Sequence, residues 1–161
     1  MTILLDAQQR LTTIAAADAI LLAQSGLNRL GLGDLPKELI DPIAAPPAPG
    51  QGALAIQCRA EDADAPWLKS LNHAPTALCV AAERGALEAL EGSCRTAVGA
   101  YARLTGAGLE LVTEALTTDG SARWRETRAA PAGATPEEAF ALGAEAGRAV
   151  KTAAGDRLAW G

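Results

Sequence analysis

Three thiols, at positions 58, 79 and 94, are spread through the 161-residue chain, and their neighbours separate them. Cys94 sits in Leu90-Glu91-Gly92-Ser93-Cys94-Arg95-Thr96-Ala97, a loop of small residues after an acidic helix end and before a strand. Room around the sulfur and an arginine beside it suit a covalent attachment point better than core filling. Cys58, on the apolar side of an alternating stretch, and Cys79, between Leu78 and Val80, read instead as small buried hydrophobes. An odd number of widely spaced cysteines makes no disulfide framework. With no Cys-x-x-Cys and with His73 as the single histidine, a zinc ligand set is lacking as well. His73 reads as an ordinary surface or capping residue.

Charge narrows the chemistry further. The net charge of −5 argues against a nucleic-acid binder, which would carry a basic stripe. Arginine outnumbers lysine eleven to three, and guanidinium forks suit carboxylate ligands, although genome composition produces the same bias. Arg84 and Arg29 are the candidate cations. Read alone, Arg84 pairs with Glu88 one turn on, a contact worth a few tenths of a kcal/mol, roughly, and Arg29 is a solvated helix residue. In Gly50-Gln51-Gly52, glycine permits positive φ or a close approach of backbone to a ligand; a plain turn explains it equally.

The elements that must position these residues follow from pattern. Residues 18–24 are an apolar run short enough for a buried strand. Ser25-Gly26 opens a short helix, Leu27 to Leu32. Pro42, Pro46, Pro47 and Pro49 make the next segment extended and irregular, a linker or hinge. A strand is expected over Ala53 to Arg59, with Leu54, Ile56 and Cys58 on one face. A short helix should cover Pro66 to Leu71, and a longer one should run from Pro75-Thr76 through Leu90 to a stop at Gly92. Its apolar stripe would be Val80, Ala81, Leu87 and Leu90. Three strands come next, Val98–Thr105, Leu109–Thr117 and Ala122–Arg128, the last pair joined by Asp119-Gly120. Thr135-Pro136-Glu137-Glu138 is a capping box for a final helix, with Ala139, Leu142, Gly143, Ala146 and Val150 at helical spacing. The fold class expected is α+β: a three-stranded antiparallel sheet with helices on one face. Aromatics make up only 3% of the chain, so the core must be built from Ala, Leu, Val and Ile. No apolar run approaches the roughly 18 residues that span a bilayer, and no secretory leader is visible, so the expected location is the cytoplasm.

Several segments, in register, resemble the porphobilinogen deaminase (hydroxymethylbilane synthase) family. They are Asp18-Ala-Ile-Leu-Leu-Ala23 running into Gly26-Leu27-Asn28-Arg29-Leu30-Gly31-Leu32; Pro49-Gly50-Gln51-Gly52-Ala53-Leu54-Ala55-Ile56; Ala82-Glu83-Arg84; Leu90-Glu91-Gly92-Ser93-Cys94; and Val98-Gly99-Ala100-Tyr101-Ala102. The resemblance covers the chain from about Asp18 onward, with Ser93 where the family usually has glycine. Upstream, only Arg10-Leu11 survives of a longer family motif. Family members are considerably longer, and what this chain lacks is their N-terminal half.

The resemblance implies a transferase of tetrapyrrole (haem) biosynthesis that joins four porphobilinogen molecules head to tail, with loss of ammonia. It implies a dipyrromethane cofactor held by a thioether on Cys94. Gln51, Gly52, Ala23 and Gly26 would touch that cofactor, and Arg84 and Arg29 would hold the carboxylates of porphobilinogen and of the growing oligopyrrole. The family's catalytic aspartate is not identifiable in this chain; Asp18 matches a different position. The implied layout is a partial, periplasmic-binding-protein-like α/β domain over residues 1–48. An inter-domain crossing strand and short helix would follow over 49–72, and a cofactor-anchoring α+β domain over 73–161. The parent would be a monomer without nucleic-acid or membrane partners, and this piece would be inactive alone. Two other classes stay open on the residues themselves: a non-catalytic anion-binding or interaction module, and an oxidant sensor using Cys94.

Overall fold

The structure, a computed structural model, describes the backbone of residues 2–4 and residues 19–91 and 96–158 in full. The chain divides into two compact units, Met1–Ala45 and Pro46–Gly161.

In the first unit, β1 (Thr2–Leu4) lies between β2 (Ile20–Leu22) and β3 (Lys37–Leu39), antiparallel to both. The short helix α1 (Gln24–Arg29) follows β2. It starts three residues earlier than its sequence pattern indicates, because Ala23 is already extended and its carbonyl accepts the first helical bonds. Leu27 is the buried residue of this helix. The apolar run before it is a strand but not a buried one, since Leu21 is 54% exposed.

The second unit begins with the proline segment. Two short helical pieces, Ala60–Asp62 and α2 (Pro66–Leu71), precede α3 (Ala74–Ala89). The strand expected over Ala53 to Arg59 does not form: residues 53–59 carry no regular structure, and Leu54 is 95% exposed. A strand needs a partner for its backbone groups. Among the described residues none lies alongside this one.

From α3 onward the expected order holds. Strands β4 (Ala97–Thr105), β5 (Gly108–Leu116) and β6 (Arg123–Pro131) form an antiparallel meander, and α4 (Pro136–Ala154) returns across it. The Thr135 hydroxyl accepts from Glu138 N while the Glu138 carboxylate accepts from Thr135 N, which closes the capping box. At the β5–β6 turn, Asp119 accepts from the Ser121 amide and hydroxyl, and Gly120 takes φ 72°. Hydrogen bonds from Thr117 and Ser121 hold the Asp119 carboxyl down at about 2.

Both long helices pack on one face of the sheet, over Leu109 and Leu111 at one end and Ala115 at the other. Their mutual contact is built from the smallest residues. Ala82, Gly85 and Ala86 of α3 face Ala139, Gly143, Ala146 and Gly147 of α4, all buried. A Cβ added at Gly85 would collide with the Phe140 carbonyl, and one at Gly143 with the Ala82 carbonyl. Of the stripe that the hydrophobicity of α3 suggests, Leu90 is fully buried in the second core cluster, but Val80, Ala81 and Leu87 are half-buried. The Ala/Gly face lies deeper, because backbone approach selects it.

One polar atom in this core lacks a partner. Thr113 Oγ1, on the helix-facing side of β5, is buried without a hydrogen bond. Replacing both the hydroxyl and its desolvation penalty by a methyl of similar shape should help. Thr113→Val is expected to stabilise the chain by about 1 kcal/mol in urea unfolding; a loss of that size would mean the hydroxyl is satisfied.

Candidate functional site

A turn of two glycines meets α3 beside the free edge of β4. Gly50 and Gly52 take φ 73° and 87°, so Gln51 is carried at the exposed tip of a turn that other residues would strain. Beneath it lies a cleft of about 320 Å³, walled by Gln51 and Ala53 on one side, Cys79 and Glu83 of α3 on another, and Leu104 of β4. A wider groove of about 740 Å³ continues along α3 between Leu54, Leu71 of α2, His73, Val80 and Arg84.

Glu83 holds this region together. Its side chain lies on the buried stripe of α3, 7% exposed, among alanines and glycines. One carboxylate oxygen accepts from Gly50 N at 2.7 Å and the other from Ala102 N at 2.8 Å. Burial pushes the carboxyl above the ordinary glutamate range, and the two amide bonds only partly pull it back. The folded chain thus takes up this proton at higher pH than the unfolded chain does. The resulting stability is full below the ordinary glutamate range and is lost as pH rises through the raised folded value. The urea midpoint of the chain, minus that of Glu83→Gln, should accordingly fall between about pH 4 and neutrality. A rise would reverse the balance of burial and hydrogen bonding assigned here.

Cys79, one turn before Glu83, is half-buried against the first core cluster. Burial first, then the charge of Glu83, push its thiol up. Iodoacetamide should therefore label Cys79 last of the three thiols, read by peptide mass, with Cys94 expected first. Early labelling of Cys79 would contradict its position in α3. Cys58 is half-buried in the irregular segment rather than on a strand face. Cys94 lies outside the described residues.

The structure brings Gln51, Gly52 and Arg84 to adjoining walls of the cleft and groove. Arg84 is exposed on α3. The other sequence candidates belong to the first unit. Ala23 is the residue before α1, Gly26 and Arg29 are exposed on it, and the Gly26 amide is engaged by Ala23 O at 3.0 Å. Glu83 was not singled out from sequence. Its signal was a lone carboxylate on a stripe of Ala82, Gly85 and Ala86, where a charge must find partners. Among the described residues, no group of three or more His, Cys, Asp or Glu could hold a metal ion, and no helix is long and apolar enough to cross a membrane.

These features define a class: an α+β domain that presents a clamped glycine turn beside a groove with Arg84 on its wall, joined to a second small unit. Two domain models match the chain, "Porphobilinogen deaminase, dipyromethane cofactor binding domain" over residues 6–66 and "Porphobilinogen deaminase, C-terminal domain" over 77–152. The chain belongs to the porphobilinogen deaminase family. It is 59% identical over 144 residues to the porphobilinogen deaminase of Caulobacter sp. (strain K31), covering 88% of this chain and 45% of that protein. The same figures hold for the porphobilinogen deaminase of Phenylobacterium zucineum (strain HLK1). That of Sorangium cellulosum (strain So ce56) is 44% identical over 135 residues, 83% of this chain and 45% of the relative. The chain thus spans less than half the length of these relatives. The matches lend no support to the anion-binding module or the oxidant sensor.

Proposed function

We propose that this chain is the cofactor-anchoring part of an enzyme that joins four porphobilinogen molecules into hydroxymethylbilane with release of ammonia. The observation that carries the reading is the consecutive match to the cofactor-binding and C-terminal domains of one enzyme, on a chain whose glycine turn and Arg84 share one region of the surface. Cys94 is the residue for a thioether to dipyrromethane. That bond keeps the primer on the protein when the finished product is cut away. When bound, the cofactor supplies the free pyrrole carbon from which the chain grows.

The residues fit such a group. The groove is lined by Leu54, Leu71 and Val80, apolar enough for a pyrrole ring, and Arg84 offers a fork for its acetate or propionate. Gln51 and Gly52 contact the cofactor from the turn, and Ala23, Gly26 and Arg29 contribute from the first unit. Residues 1–48 are a fragment of a periplasmic-binding-protein-like α/β domain, 49–72 cross between domains, and 73–161 anchor the cofactor. The whole enzyme works as a monomer in the cytoplasm, with no nucleic-acid or membrane partner.

Ring coupling needs an acid to assist ammonia loss, worth about 10² to 10⁴ in rate, and fixed cations to gather carboxylates. No acid of that role is identified in this chain. Expressed alone, it should keep its unmodified mass and leave porphobilinogen unconsumed. Placed in the Caulobacter sp. enzyme over the matching stretch, it should gain a two-pyrrole mass on Cys94 and turn over. A folded chimera without that mass would overturn the reading.

A further inference from the structure

We infer that Glu83 is a positioning residue: its carboxylate, shared between the Gly50 and Ala102 amides, sets the conformation of the turn that presents Gln51. The inference rests on the proposed function only for what that turn meets.

Three observations lead to it. Gly50 and Gly52 are both in the left-handed region, where an unsupported glycine turn has many alternatives of similar energy. Among the described hydrogen bonds, the turn has two local ones, Gln51 N to Ala48 O and Ala53 N to Gly50 O, and one that ties it to the rest of the domain, Gly50 N to Glu83. The second oxygen of that carboxylate accepts from Ala102 on β4, a strand held along its length by antiparallel pairing with β5. A rigid strand, a buried helix face and a flexible turn therefore meet on one side chain. A charged acceptor with both oxygens engaged holds its partners more tightly than a neutral one. Glutamine in its place offers one acceptor oxygen and turns an N–H toward the other amide, so it restores only one of the two bonds.

The geometry also separates two neighbours in the sequence. Arg84 is exposed on the groove and can touch a ligand. Glu83, at the wall of the smaller cleft, is 7% exposed and has both carboxylate oxygens engaged by the Gly50 and Ala102 amides.

The test uses the full 161-residue chain, with amide nuclear magnetic resonance as the readout. In the wild-type chain, the Gly50 and Ala102 amide protons should move together with pH, at one midpoint, as the carboxyl titrates. The described cleft lining carries one other titratable side chain, Cys79. In Glu83→Gln and Glu83→Ala, the amides of residues 50–53 should shift and lose exchange protection, Ala more than Gln, while β5 amides stay in place. Leu158→Ala, which loosens the core near the end of α4, should lower stability without moving the turn. Unchanged turn amides in Glu83→Gln, or independent midpoints in the wild type, would overturn the inference.

Porphobilinogen is the probe for the ligand side. Its saturable shift of the Gln51 amide should require roughly tenfold more ligand in Glu83→Ala, the factor that a lost hydrogen bond to a charged group corresponds to. Equal binding with a released turn would remove the positioning role. No shift in the wild-type chain, with the turn still released in the variants, would remove Gln51 from the proposed function and leave the clamp established.

Discussion

Gly143→Val should destabilise the C-terminal domain by about 3 kcal/mol, the upper end of what overpacking a core usually costs. The sharper experiment is Gly143→Ala, because there two effects oppose each other. In a helix interior alanine is favoured over glycine by about 1 kcal/mol. If α4 merely lay near α3, the variant would be more stable than the parent. A Cβ at 143, however, overlaps the Ala82 carbonyl, and that atom belongs to helix backbone rather than to a side chain that can swing aside. Relief requires the helices to separate along a line that Gly85 and Gly147 also hold close, with the Gly147 Cβ position 2.5 Å from Ala86 O. Steric cost therefore exceeds propensity, and the sign is loss. Thermal and urea unfolding followed by circular dichroism would read it. A stabilised Gly143→Ala would mean that the two helices do not approach this closely.

The second large effect is on chemistry. In the chimera with the Caulobacter sp. enzyme, Cys94→Ser is expected to abolish both the added two-pyrrole mass and porphobilinogen consumption. A serine hydroxyl is slightly smaller and fits the same place, but without a neighbouring base it stays protonated at neutral pH and is a poor nucleophile. Arg84→Leu should behave differently. Losing one fork on a carboxylate weakens ligand binding by roughly 2 kcal/mol, since hydrogen bonds to charged groups are the stronger kind, yet it leaves the attachment residue in place. Mass present with impaired turnover in one variant, and neither in the other, would separate anchoring from carboxylate binding. A Cys94→Ser chimera that still retains the added mass would place the attachment elsewhere.

Where elements are held by local signals, the sequence was readable. The capping box at Thr135, the turn at Asp119-Gly120 and the proline at the start of α2 each fix a boundary by hydrogen bonding or by φ, without reference to distant residues. Two of the departures have one cause. Residues 53–59 alternate as a strand should, yet a strand exists only when another backbone accepts its bonds, and periodicity carries no information about the partner. Likewise the buried face of α3 is chosen by how near α4 can come, so small residues win over Leu87. The candidate site divides the same way. Gln51, Gly52 and Arg84 could be picked out from residue type and motif. Glu83 could not, because its role lies in two amides, 33 and 19 residues away along the chain.

The proline segment has an effect that its linker-like composition hides. Ala100 N, on the free edge of β4, donates to Pro47 O at 2.9 Å, and the Pro46 backbone lies against Gly99. A strip laid along a sheet edge ordinarily becomes the new edge, offering its own donors to whatever strand arrives next. Pro46-Pro47-Ala48-Pro49 has a single amide hydrogen in four residues. It can accept from β4 but cannot hand the ladder on, so strand addition by another chain is blocked on that side. For the sheet of the second unit, these prolines act as a terminator against edge-to-edge aggregation.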